Sequence, residues 1–217
     1  MSSPILPAGP DRVPDLAALL GRAFTDDPML VWPFGEDRTD AITDFFHIFD
    51  EQVAGLGWLW GAALGLGVAA WIPPGSDQVM MDIDRSMRPT LATAEARHEE
   101  MWEWIADHFP REPFWYLDHI GVAAEHRGTG LGAALIRHGL DFADRDEAPA
   151  FLETARPGNV SYYERRGFRT IADGDAPGGA RTSGSCATTP DGPLPNAYFS
   201  GTPRLSAKRL ISSVCSW

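Results

Sequence analysis

Val122-Ala123-Ala124-Glu125-His126-Arg127-Gly128-Thr129-Gly130-Leu131-Gly132-Ala133 is the stretch that decides the fold of this chain. The residues leading into it, Phe114-Trp115-Tyr116-Leu117-Asp118-His119-Ile120-Gly121-Val122, are aromatic and β-branched enough to predict a strand. Those leaving it, Leu131 to Arg145, carry the period of a helix. Between the two, glycines at 128, 130 and 132 let the backbone curl tightly and leave its N–H groups uncovered, while the helix start adds partial positive charge. Such a turn either only makes a tight connection or cradles a pyrophosphate, with the Arg127 guanidinium as a further contact. The Lys-Ser/Thr ending of a P-loop is missing, and so is the G-x-G-x-x-G dinucleotide spacing.

Downstream, the pattern predicts a short strand over Ala150 to Thr154, a short helix over Val160 to Arg166 and a strand over Phe168 to Ala172. Upstream, Asp11 and Pro14 followed by Leu16, Leu19, Leu20 and Phe24 predict a helix capped by Asp11, and Ile42, Phe45, Phe46 and Phe49 predict another from Thr39 to Val53. A third is expected between Arg88 and Phe109, where Met101, Trp102, Ile105 and Phe109 form an apolar stripe beside Glu99, Glu100 and Glu103. That stripe reads as core packing or as a substrate lid. Val53 to Ile72 holds no charge and is long enough for a bilayer, yet Gly55, Gly57, Gly61, Gly65 and Gly67 interrupt it, no Lys or Arg anchors it, and Pro73-Pro74 ends it. A hairpin of Leu56 to Trp60 and Gly67 to Ile72 is the better reading, and no membrane partner is expected. Strand, Gly-rich turn, helix, strand, helix, strand specifies an α/β layer with helices covering a sheet.

Composition agrees with one globular domain: 217 residues, 44% hydrophobic and 22% charged. A formal net charge of −12 is the wrong sign for holding a phosphate backbone, which excludes nucleic acid as the expected partner and suits a cationic substrate. Only Cys186 and Cys215 are present, without C-x-x-C spacing, and the first ten residues do not read as a signal peptide, so a cytoplasmic setting is expected. The six histidines show no metal-ligand spacing, and no metal is expected.

Arg127-x-x-Gly130-x-Gly132 after a strand resembles the acetyl-CoA pyrophosphate loop of the GNAT acyl-CoA N-acyltransferase superfamily, and Asn159-Val160-Ser161-Tyr162-Tyr163-Glu164-Arg165-Arg166-Gly167-Phe168 is similar to that superfamily's second signature. Ala69 to Pro74, Glu112 to Leu117 and Pro149 to Thr154 resemble its puromycin N-acetyltransferase branch. The resemblance implies a mixed, twisted sheet flanked by helices and split by a V-shaped gap between the strands at 114–122 and 150–154. It implies acetyl-CoA as co-substrate, with the pyrophosphate on the turn of Arg127, Gly128, Thr129, Gly130, Leu131, Gly132 and Ala133. Backbone groups of Ile120 and Val122 and the side chain of Asn159 would hold the pantetheine arm. Tyr163 would protonate the departing thiolate, a task that suits a phenol, which stays protonated at neutral pH; as a residue alone it reads equally as a packing aromatic. For the general base, Glu153 comes first, with Asp118 and His119 as rivals beside the acetyl group and Trp102 as a further acceptor-side residue. On a strand of regular alternation, one of Asp118 and His119 would merely pack or cap. The acceptor implied is a small amine, such as an aminonucleoside antibiotic, which would make the enzyme a resistance factor. Acetylation of a protein N-terminus or lysine, and acyl-CoA binding without turnover, are the alternatives. A monomer or homodimer is expected.

The pattern breaks near Gly179. Residues 1–179 read as the acetyltransferase domain and 180–217 as a disordered, Ser-, Thr-, Gly- and Pro-rich tail, either low-complexity or frame-shifted. One permitted codon choice for Arg181 to Asp191, read two bases along, encodes Asp-Ile-Trp-Phe-Met-Cys-His-Asp-Ala, an apolar strand of the kind the superfamily places there. As written, 181–191 offers no such strand, and the sheet is expected to lose its C-terminal member.

Overall fold

The computed structural model describes residues 4–35, 38–91, 94–107, 109–179 and 181–187. Its strands are β1 (Ile5–Pro7), β2 (Leu59–Ala62), β3 (Gly67–Ile72), β4 (Trp115–Val122), β5 (Ala150–Thr154), β6 (Arg169–Asp175) and β7 (Arg181–Ala187). They form one sheet in the order β1-β2-β3-β4-β5-β7-β6. Every neighbouring pair is antiparallel except β4 with β5. The helices are α1 (Val13–Phe24), α2 (Pro28–Phe34), α3 (Thr39–Gly55), α4 (Asp77–Leu91), α5 (Glu95–Asp107), α6 (Leu131–Arg145) and α7 (Pro157–Glu164).

Two apolar layers enclose the sheet. On one face, Leu16 and Leu20 of α1, Ile42 and Phe46 of α3, and Met80, Ile83 and Met87 of α4 pack against Val68, Ala70, Tyr116 and Phe151. On the other, Leu135, Ile136 and Leu140 of α6 and Tyr163 of α7 pack against Trp71, Leu117 and Leu152. Trp71 is fully buried and donates its indole N–H to the Leu135 carbonyl at 3.3 Å; its ring lies where a Cβ at Gly139 would stand. β3 is buried along its whole length, which explains why 67–72 is uncharged without crossing a membrane. Among the described residues no helix is long and apolar enough to do so.

The expected strand at 150–154 and helix at 131–145 form over those residues, and the expected hairpin forms as β2 and β3, although β2 begins at Leu59 because Gly57, at φ +77°, turns the chain first. Other expectations need correction. Asp11 caps nothing: it lies in a 3₁₀ turn, and Arg12 occupies the N-cap of α1 without a side-chain bond. Asp27 is the residue that caps, its Oδ1 accepting from Met29 N at 3.0 Å to start α2. The single helix expected over 88–109 is two, α4 beginning at Asp77 and α5 ending at Asp107.

The missing C-terminal strand is also corrected over 181–187. β7 lies between β5 and β6, paired from Ala150↔Ala187 to Thr154↔Ser183 on one side and from Arg169↔Cys186 to Asp175↔Arg181 on the other. A strand flanked on both edges satisfies its backbone through its neighbours, so Thr, Ser, Gly and Ala suffice where an apolar run was looked for. Residues 188–217, the rest of the expected disordered tail, lie outside the described residues.

Candidate active site

The site begins where β4 and β5 part. Their parallel pairing extends only over Trp115↔Ala150 and Tyr116↔Phe151, so the remainder of β4 runs free of its neighbour. A β-bulge sets which backbone groups look into the resulting gap. Leu117 pairs with Trp71 and His119 with Ala70, leaving Asp118 as an extra residue with no partner in β3. Trp115 N–H donates to Pro149 O on the β5 side, whereas Ala123 N–H donates to Leu66 O on the β3 side. Unbroken alternation would send both the same way; the bulge reverses the parity and turns the backbone of Ile120 and Val122 toward the gap.

A cavity of about 860 Å³ occupies this gap and extends between α2, α3 and α5. Its lining contains Asp118, His119, Ile120, Val122, Arg127, Gly128, Gly130, Gly132, Glu153, Asn159, Tyr163 and Trp102, so the structure brings these residues to one space. Thr129, Leu131 and Ala133 do not line it. Thr129 Oγ1 donates to His126 O at 2.7 Å, closing the turn, and Leu131 is buried in α6. Gly128 and Gly130 adopt φ +77° and +94°, the left-handed region that strains other residues, and a Cβ at either would meet open space. At 132 the need is steric: a Cβ there would stand 2.6 Å from the Tyr162 hydroxyl.

On the sheet side, Tyr116 donates its hydroxyl proton to Glu153 Oε1 at 2.6 Å, while Glu153 Oε2 is buried without a hydrogen-bond partner. Burial pushes the Glu153 carboxyl up to about 8 despite the Tyr116 hydrogen bond, and the nearby Asp118 charge adds to the rise. Burial likewise raises the Tyr163 phenol, which packs edge-on to Phe168 and Tyr162 and keeps its proton at neutral pH. Asn159 Nδ2 donates to Thr154 Oγ1 at 3.4 Å.

Three features had no sequence signal. His119 lies between two carboxylates, Nδ1 at 2.9 Å from Asp118 Oδ1 and Nε2 at 3.2 Å from Asp50 Oδ1, the latter at an angle outside hydrogen-bond geometry. Burial opposes a charged imidazole, but Asp50 and Asp118 outweigh it and hold His119 up at about 10. Arg156 spans the opposite wall, its guanidinium reaching Asp26 at 2.5 Å and Asp27 at 3.0 Å. Arg166 stacks 3.4 Å over the Tyr162 ring and lines the cavity.

Comparison with known proteins agrees with this geometry. Residues 91–168 match the model of the acetyltransferase (GNAT) family. A histone acetyltransferase HPA2 and related acetyltransferase structure from Corynebacterium glutamicum is 27% identical, with TM-score 0.64 over 89% of this chain and 99% of that one. A mosquito arylalkylamine N-acetyltransferase (14% identity, TM-score 0.56, 86% of this chain and 100% of that one) and a NatC complex bound to Gag peptide and CoA (13%, 0.53, 87% and 99%) share the fold. Residues 91–168 are thus similar to the GNAT acetyltransferase family, and the chain as a whole shares its fold with solved acetyltransferases.

Proposed function

We propose that this enzyme transfers acetyl from acetyl-CoA to the primary amine of a small molecule. The observation that carries the reading is the early parting of β4 and β5, which leaves the Ile120 and Val122 backbone facing a cavity that also holds the Gly128–Gly132 turn. The residues fit acetyl-CoA. Uncovered amides at the start of α6, with Arg127, would hold a pyrophosphate, and the Ile120 and Val122 amides with Asn159 would hold a pantetheine arm. When bound, acetyl-CoA supplies an acetyl thioester.

The chain's own residues then divide the proton work. Glu153, with its carboxyl at about 8, takes a proton from the acceptor ammonium; a base in that range matches neutral operating conditions. Tyr163, raised by burial, remains a proton donor for the leaving sulfur. Amides already oriented toward the gap need no rearrangement to polarise a carbonyl.

Thiol release from acetyl-CoA tests the proposal, measured with and without a panel of amines that includes puromycin and paired with melting temperatures with and without CoA. Amine-dependent release together with a CoA-induced rise is expected. Neither signal would overturn it, and a rise without release would favour a binding protein.

A further inference from the structure

The part of the cavity away from the glycine turn differs in chemistry from the rest. Its walls include Met29, Leu30, Phe45, Met101, Trp102 and Ile105, with His98 packed on the Phe45 ring. Where those walls meet the sheet, carboxylates converge: Asp118 and Asp27 each raise Glu153, and all three line the cavity. Asp27 is engaged by Arg156 and Glu153 by Tyr116. Asp118 is held differently, because its partner His119 is backed by Asp50, a carboxylate with no exposed surface on α3. Phe46 and Phe49 close edge-on to the imidazole at centroid distances of 5.0 and 5.9 Å, which fixes its plane. The bulge at 118 is what brings Asp118 and His119 into one row rather than onto opposite faces.

This row sets two carboxylates against one imidazole, and Asp118 is its member on the cavity. A buried ionic row of this cost is not needed to close a core that apolar side chains would fill. We propose that it forms the acceptor subsite: Asp118 anchors a primary ammonium carried on an uncharged, apolar or aromatic body, and His119 and Asp50 are positioning residues that hold Asp118 in place. The apolar walls receive the body, where a second charge on the acceptor would lose water. The assignment rests on the acetyl-transfer reading above and adds the acceptor's chemical class.

The test is kinetic, on the full chain. With acetyl-CoA saturating, kcat/KM for 2-phenylethylamine is expected to exceed that for putrescine and for a lysine-containing peptide by about 100-fold. Asp118→Asn, on a partly exposed residue, is expected to raise the KM for 2-phenylethylamine at least about tenfold while leaving the KM for acetyl-CoA within about twofold. Asp118→Glu is expected to recover part of the loss. Asp50→Asn is expected to raise amine KM in the same direction, with the acetyl-CoA KM again unmoved, an asymmetry that a merely structural role would not produce. Putrescine or peptide used as well as 2-phenylethylamine, or Asp118→Asn with unchanged amine KM, would overturn the subsite. Thiol release and melting with CoA separate the two readings: amine-dependent release combined with either of those results removes only the subsite, whereas no release with any amine and no CoA-induced rise removes the acetyl-transfer reading and the subsite with it.

Discussion

The two ends of the cavity are built from different materials. The end at the glycine turn is made of backbone, with the amides of Ile120 and Val122, two left-handed glycines and the start of α6. The other end is made of side chains drawn from α2, α3, α5, β4 and β5, which meet only in the folded molecule. Backbone recognition depends on where a chain turns and how a strand is paired, so it leaves a local mark in the sequence. Side-chain recognition depends on identities scattered along the chain and leaves none.

The largest expected effect comes at the join of the two ends. Glu153→Gln removes the proton acceptor and should lower kcat by about 100-fold or more, and Tyr163→Phe should do likewise at the sulfur, with both KM values nearly unchanged. In the wild-type enzyme kcat should rise with pH and level off above about 8 as the Glu153 carboxyl ionises; a profile flat from pH 6 to 9 would remove Glu153 from this role. Next comes the backbone end. Gly130→Val places a β-branched residue at φ +94°, which should cost about 1–2 kcal/mol and raise the acetyl-CoA KM roughly tenfold with the amine KM held. An equal loss in both KM values would erase the distinction between the ends.

Stability should separate from both. Gly139→Ala presses a methyl group into Trp71 and should destabilise the fold by about 1–3 kcal/mol, read by denaturant melts, with KM values unaltered in the fraction that folds. Its effect on Tm has a pH-dependent counterpart at His119. Because the folded value, about 10, lies above the ordinary 6.5, the imidazolium's contribution is complete below 6.5 and is lost as pH rises through 10. The wild-type Tm should therefore fall between pH 7 and pH 10 by more than that of His119→Asn. The smallest effect is expected for Arg156→Ala. Its contact with Asp26 is largely exposed and worth under about 1 kcal/mol, so a change of a fewfold in amine KM, with none for acetyl-CoA, is anticipated.

What was legible in the sequence follows the same division. The strand, turn and helix at 114–145 and the strand at 150–154 were readable because period and glycine spacing are local signals. β1, three residues long, and α2, seven residues with Pro28 at its start and Pro33 inside it, are too brief for any period to register. β7 escaped because its neighbours supply what its small side chains lack. At the site, Glu153, Tyr163, Asn159 and the turn were reached through resemblance to a family, and Asp118 and His119 were left as rivals. Nothing in the order of residues links Asp50 to His119, and nothing announces a bulge at 118. The assumption of regular alternation is what set those two against each other, and the bulge removes it.

That extra residue gives position 118 two kinds of meaning. As the proposed anchor of the acceptor, its side chain would set what the pocket prefers. Deleting it would join Leu117, opposite Trp71, directly to His119, opposite Ala70, so the carboxylate and the kink would go together while Ile120 and Val122 kept facing the gap. The strand thus carries Asp118 as an insertion, a residue that one end of the cavity uses and the other would not miss.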